Sequence, residues 1–191
     1  MKRTRHYKGE ITKLILATLR DTAIVLTVAG FAGPKAPMLI LRFAKYKIWY
    51  LRRRLKYLHS LNLIELTEDH KGRIIAKISA SGEARMKRDE LWNMKLAQPS
   101  VWDGLWRVVA FDVPTEKHIS RDHLRQHLKA LGFHYIQKSI FACPYPCDEE
   151  LRKICEYYEI EAHATLLLAT SLGLHEKSAR RKFKLLQEGR M

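Results

Sequence analysis

Acidic residues are scarce in the first half of this 191-residue chain, where residues 1–96 hold 21 Lys and Arg but only 8 Asp and Glu. Cysteine is scarce throughout, with three in all. Three thiols in a chain this long do not frame a disulfide scaffold, and they suit a reducing cytosol. Long apolar runs are missing as well. The most apolar stretch, 22–32, lies between Arg20-Asp21 and Pro34-Lys35, well short of the roughly 20 residues that a spanning helix needs. Charged Lys8, Glu10, Lys13, Arg20 and Asp21 separate it from Met1, so it is a poor signal-peptide core. A soluble, cytoplasmic protein with no membrane partner is expected. There is no internal repeat and no low-complexity tract. A P-loop, a dinucleotide fingerprint, a GxSxG elbow and an HExxH frame are all absent, which removes the enzyme classes that those motifs mark.

Positive charge is what the chain has in excess. Lys and Arg number 35 against 20 Asp and Glu, for a net charge of +15 and a pI of about 9.9. Residues 1–96 carry +13 of this, while residues 97–191, with 14 basic and 12 acidic side chains, carry +2. Apolar residues make up 47% and charged residues 29%, an ordinary globular balance that argues against disorder through the whole chain. The asymmetry predicts two domains, 1–96 and 97–191, the first with an anionic partner. Nucleic acid is the first choice for that partner.

Periodicity fills in the elements. Residues 1–8 read as a basic, mobile lead-in. From Glu10 a helix is predicted, with Ile11, Leu14, Ile15, Thr18 and Leu19 on one face. Gly30, Gly33, Pro34 and Pro37 break the apolar segment that follows. A single long helix is predicted from about Leu39 to Leu61. It would carry an apolar stripe of Ile48, Leu51, Leu55 and Leu58, with Lys45, Trp49, Arg53 and Lys56 opposite and Arg52 at the margin. A strand near Leu63–Thr67, a turn and a returning strand near Arg73–Ser79 come next. Ser81 would cap a helix over about 82–95. Helices, a basic helix, a two-stranded ribbon and a further helix predict a winged helix-turn-helix. Its helix would enter the major groove of double-stranded DNA, and its ribbon tip would bring Lys71 and Arg73 to an adjacent groove.

The period changes to two after a linker at about 95–101. A strand is predicted over Leu105–Asp112, with Trp106, Val108, Ala110 and Asp112 on one face. Then come a helix over Ile119–Leu131 closed by Gly132, strands over Phe133–Gln137 and Ser139–Cys143, a helix over Asp148–Tyr158, and a strand over Glu161–Ala169. A basic helix near His175–Glu188 ends the pattern. The order is β-α-β-β-α-β, so the whole chain is read as α+β, a winged helix-turn-helix followed by a ferredoxin-like domain. Two helices cover one face of such a sheet. The bare second face predicts a homodimer.

The stretch WDGLWRVVAFDVPTEKHISRDHLRQHLKALGFHYIQKSIFACP resembles the PaaX-like family of phenylacetate-degradation repressors. The resemblance rests on Trp102, Asp103, Gly104, Trp106, Arg107, Phe111, Asp112 and Pro114, then on Arg125, Leu128, Leu131, Gly132 and Phe133. It covers about Val101–Cys143 well, and the residues before it by architecture more than by letters. It implies a winged helix joined to a ferredoxin-fold domain similar to the small CRISPR-associated protein that accompanies the spacer integrase. It further implies a DNA-binding transcriptional regulator, repressor-like, and no cofactor is expected unless Mg²⁺ is used. It names neither operon nor effector. In the CRISPR-associated relatives an aspartate at the place of Asp112 is thought to hold a divalent metal near a dimer axis. The alternative it leaves is therefore a Mg²⁺-dependent nuclease or CRISPR-adaptation-type factor using Asp112 from two chains. A plainer role for Asp112 is to cap the turn at Pro114–Glu116 or to pair with a basic residue.

His123 and His127 have the i,i+4 spacing of a zinc pair, with His118 before them. Without an HExxH frame, surface histidines are expected. Cys143 and Cys147 have the spacing of half a zinc site, but no second pair lies within reach in the sequence, so free thiols are expected.

Overall fold

The fold is taken from a computed structural model, which describes residues 3–27 and 30–185. The chain forms two compact units, Met1–Glu90 and Leu91–Met191, of mixed helix and strand.

The first unit runs α1 (Arg3–Asp21), β1 (Ile24–Leu26), α2 (Ala36–Arg42), α3 (Ile48–Ser60), β2 (Ile64–Glu68), β3 (Ile74–Ile78) and most of α4 (Ala80–Asn93). Its three strands make an antiparallel sheet in the order β1-β3-β2. Ile11, Ile15 and Leu19 of α1 are buried with Leu39 and Phe43, with Leu51, Leu55 and Leu58 of α3, and with Ile24, Leu26, Ile64 and Ala76 of the sheet. The stripe expected on α1 is thus its core face. The helix begins at Arg3, however, so most of the expected mobile lead-in at 1–8 is helical, and residues 1 and 2 lie outside the described residues.

The expected single helix over Leu39–Leu61 is two helices with a turn at 43–47. The cause lies in the spacing. Leu39 and Phe43 are buried four residues apart, and Leu51 is buried eight further on. A continuous helix would carry Lys47 into the same apolar line. Instead Lys47 takes an extended conformation (φ −67°, ψ 140°) and stays exposed, which avoids burying an ammonium group. Strand β1 was not among the expected elements. The cap of α4 is also corrected: the Ser79 hydroxyl, not Ser81, accepts the Gly82 N–H at 3.1 Å.

The second unit runs β4 (Trp106–Phe111), α5 (His118–Ala130), β5 (His134–Gln137), β6 (Ile140–Cys143), α6 (Asp148–Tyr158), β7 (Ala164–Ala169) and α7 (Glu176–Lys182). All pairings are antiparallel, in the order β5-β6-β4-β7, the ferredoxin-like arrangement. Two elements differ from expectation by more than a residue at one end. A single 3₁₀ turn occupies Glu161–His163, so β7 starts later. Helix α7 ends at Lys182, and of the rest of the expected helix, 186–188 lie outside the described residues. Val109 and Phe111 face the core shared with Leu124, Leu128, Leu151 and Ile154.

The opposite sheet face is not wholly bare. Trp106 is fully buried there, its indole N–H donating to Glu176 of α7 at 3.1 Å and its ring 6.0 Å from that of Phe183. The register puts Val108 beside Leu167 and Ala142, and Ala110 beside Thr165 and Ile140. Of these, Leu167 is 51% exposed, and α7 leaves this end of the face uncovered among the described residues.

Candidate nucleic-acid interface

Helix α3 places its side chains by simple angular spacing. Leu51, Leu55 and Leu58 turn inward. Trp49, Arg53 and Lys56 then fall on the outer side, spaced by four and three residues, and are exposed, while Arg52 is half-buried at the edge. Arg54 is directed to α1 instead, where its guanidinium donates to the Thr12 hydroxyl at 2.9 Å. Lys45 lies not on this helix but in the turn before it, with its ammonium 5.2 Å from the Tyr46 ring centre. No Asp or Glu stands between Asp21 and Glu65, while eight Lys and Arg do. The surface built by α2, the turn and α3 therefore has no carboxylate of its own to neutralise it.

An open groove of about 430 Å³ runs between α3 and the sheet. Trp49, Arg52, Arg53 and Lys56 line it on the helix side together with Leu55, and Leu26, Leu66 and Ile74 line it on the strand side. Four of the seven residues expected to touch DNA thus share one groove.

Two more, Lys71 and Arg73, belong to the turn joining β2 and β3. Asp69 organises that turn. Its carboxylate accepts the backbone N–H groups of Lys71 (2.9 Å) and Arg73 (3.0 Å), and the Arg73 side chain at 2.7 Å. Hydrogen bonding from Arg73 holds the Asp69 carboxyl at about 2. Lys71 is exposed at the tip. Arg73 is committed to Asp69 and shapes the tip, a role that residue type and position alone did not reveal.

Asp112 follows β4 and is exposed, with its N–H donating to the His163 carbonyl at 2.9 Å. A cavity of about 510 Å³ beside it is lined by Ser139, His163 and Thr165 among others, and Asp112 is the one carboxylate in that lining. No group of three or more potential metal ligands occurs among the described residues. The described residues of one chain therefore bring no Mg²⁺ ligand set together.

His127 corrects an expectation. It is 1% exposed rather than a surface histidine, stacks on Trp92 with ring centres 3.9 Å apart, and puts Nε2 3.0 Å from the Tyr158 hydroxyl. Burial, with a smaller effect of His123, lowers its pKa to about 4. Cys143, Cys147 and Cys155 are free and buried. Hydrogen bonding to Cys143 and burial push the Cys147 thiol far up, and burial pushes Cys155 to about 11. Neither of the latter two is a reactive thiolate.

The residues that carry the family resemblance have structural tasks. Asp103 and Arg107 form a two-pronged ion pair (2.7 and 2.6 Å), and the buried guanidinium also donates to the Leu105 carbonyl at 2.9 Å. Gly104 sits between them at φ +81°, where a side chain would be strained. The Trp102 indole donates to the same Leu105 carbonyl at 3.0 Å and packs 5.0 Å from Trp106. The motif is a clasp at the start of β4.

Residues 99–180 match the family model of the PaaX protein central Cas2-like domain. No curated protein matches the chain. Among the described residues, no helix is long and apolar enough to cross a membrane.

Proposed function

With residues 99–180 assigned to the PaaX central Cas2-like family, we propose that the protein is a cytoplasmic, homodimeric, DNA-binding transcriptional regulator of the repressor type. The first unit is read as the winged helix, with α3 as the helix that enters the major groove and the β2–β3 turn as the wing. The observation that carries this is the groove beside α3, lined by Trp49, Arg52, Arg53 and Lys56 and by no carboxylate. Lys45 and Lys71 extend the positive surface to either side of it in sequence. The dimer is supported by the uncovered strip of Val108, Ala110, Ile140, Thr165 and Leu167 on the second unit's sheet. A twofold dimer would offer two α3 helices to a palindromic duplex.

Salt titration tests the DNA site. Arg52→Ala combined with Arg53→Ala should weaken duplex binding and flatten its salt dependence, by roughly 0.9 in log–log slope for each phosphate no longer neutralised. An unchanged slope in a folded double variant would move the site off α3. A second reading, a Mg²⁺-dependent nuclease or CRISPR-adaptation-type factor, is kept for the cavity beside Asp112. It needs the carboxylate of a second chain to complete a metal site. Cleavage of DNA that depends on a divalent ion and disappears in Asp112→Ala would favour it, and binding without cleavage would remove it.

A further inference from the structure

The groove beside α3 holds more than charge. Its floor is apolar, built from Leu26, Leu55, Leu66 and Ile74, while Arg52, Arg53 and Lys56 supply its cations. Trp49 stands at its edge with 59% of its surface exposed, meeting Tyr50 edge-on with ring centres 5.9 Å apart. The Nε of Arg52 is buried and finds no acceptor among the described residues. A buried donor without an acceptor is costly, and it calls for an anion or a water beside it. The volume, about 430 Å³, falls in the range of roughly 300–1,000 Å³ typical of ligand sites.

A fully paired duplex answers only half of these features. It presents phosphates and groove edges, which suit the cations, but beyond thymine methyls and sugar carbons it offers the apolar floor no flat surface. A base removed from the stack offers the missing half: a flat apolar ring, joined through its sugar to a phosphate. We propose that the groove receives one unstacked nucleobase of the bound DNA. Its ring lies between Trp49 and the Leu66–Ile74 floor, and its phosphate lies on Arg52, Arg53 and Lys56. This rests on the DNA-binding reading above and adds a preference to it. DNA carrying a bulged or mismatched base is bound more tightly than fully paired DNA of the same length, because the energy of unstacking has already been met.

The test compares two labelled duplexes of equal length, one fully paired and one with a single bulged 2-aminopurine, titrated with the full chain at fixed salt. The bulged duplex should bind about tenfold more tightly, in keeping with one base–aromatic stack, and 2-aminopurine emission should change on binding. Ile74→Trp, which fills the groove, should bring the bulged duplex down to the affinity of the paired one and abolish the emission change. Leu66→Phe serves the same purpose if Ile74→Trp does not fold. Equal affinity for the two duplexes overturns the proposal and leaves the DNA-binding reading standing, as does a preference that survives filling of the groove. Failure to bind either duplex overturns both.

Discussion

A buried histidine gives the second unit a pH dependence of defined sign. Because His127 is held near 4 in the fold and returns to its ordinary value near 6.5 on unfolding, the unfolded chain binds more protons between those values. Stability therefore rises with pH through that window, is complete above about 6.5 and is lost as pH falls towards 4. Urea unfolding should show a loss of about 1–2 kcal/mol between pH 7 and pH 4.5, and His127→Gln should flatten that part of the profile. Asp103 acts in a separate, lower window. Its carboxyl is lowered to about 2 by Arg107, so its contribution is present above the unfolded value near 4 and fades below it. The burial of His127 was legible in part, since it lies three residues after Leu124 and one before Leu128, inside that helix's apolar line. The expectation set the zinc pair aside and put His127 only at the margin of that face, among surface histidines, because residue spacing does not show that Trp92 and Tyr158 close over the ring. The commitment of Arg73 to Asp69 was not legible, because a turn's internal hydrogen bonds depend on backbone angles that residue type alone does not set.

At the scale of elements, the joint between β3 and α4 is the most tightly specified. A Cβ on Gly82 would stand 2.1 Å from the Leu63 carbonyl oxygen and 2.8 Å from the Ile78 side chain. Gly82→Ala should therefore destabilise the first unit by about 1–3 kcal/mol, as overpacking does, with a matching fall in the thermal midpoint. Gly9→Ala is the control. Nothing lies within 4 Å of a Cβ there, and a helical alanine gains roughly 0.5–1 kcal/mol over glycine. The strands and helices of the second unit were readable because each carries its own punctuation, such as Pro114 after β4 and Gly132 after α5. The break between α2 and α3 has no proline or glycine to announce it. It follows from where Lys47 would otherwise fall, which is visible only once Leu39, Phe43 and Leu51 are known to share a core. Strand β1, with three residues, is too short to display a period at all.

At the scale of the molecule, the division of the chain has a measurable counterpart. The stretch 97–101 is exposed and without regular structure, and mild proteolysis should cut there. Leu91 and Leu96, however, belong to the second unit's core. A fragment of residues 97–191 should melt lower than one of residues 91–191 in differential scanning calorimetry, and equal midpoints would show that these two side chains add nothing. Self-association is tested by sedimentation equilibrium at micromolar concentration. A dimeric mass is expected for the whole protein and for residues 91–191, and a monomeric mass for both would remove the dimer and the two-chain metal site with it.

The eight cations between Asp21 and Glu65, with no acid among them, also work against the fold that displays them. Like charges crowded on a compact surface repel, and they are relieved when the chain expands. Dissolved salt screens that repulsion just as it screens the attraction to phosphate. Raising the ionic strength should then loosen the hold on DNA and toughen the free protein, two opposite trends from one surface. A bound polyanion escapes the conflict, since it neutralises the cations and also favours the folded form by mass action. The first unit should accordingly melt highest when occupied and lowest alone in dilute buffer.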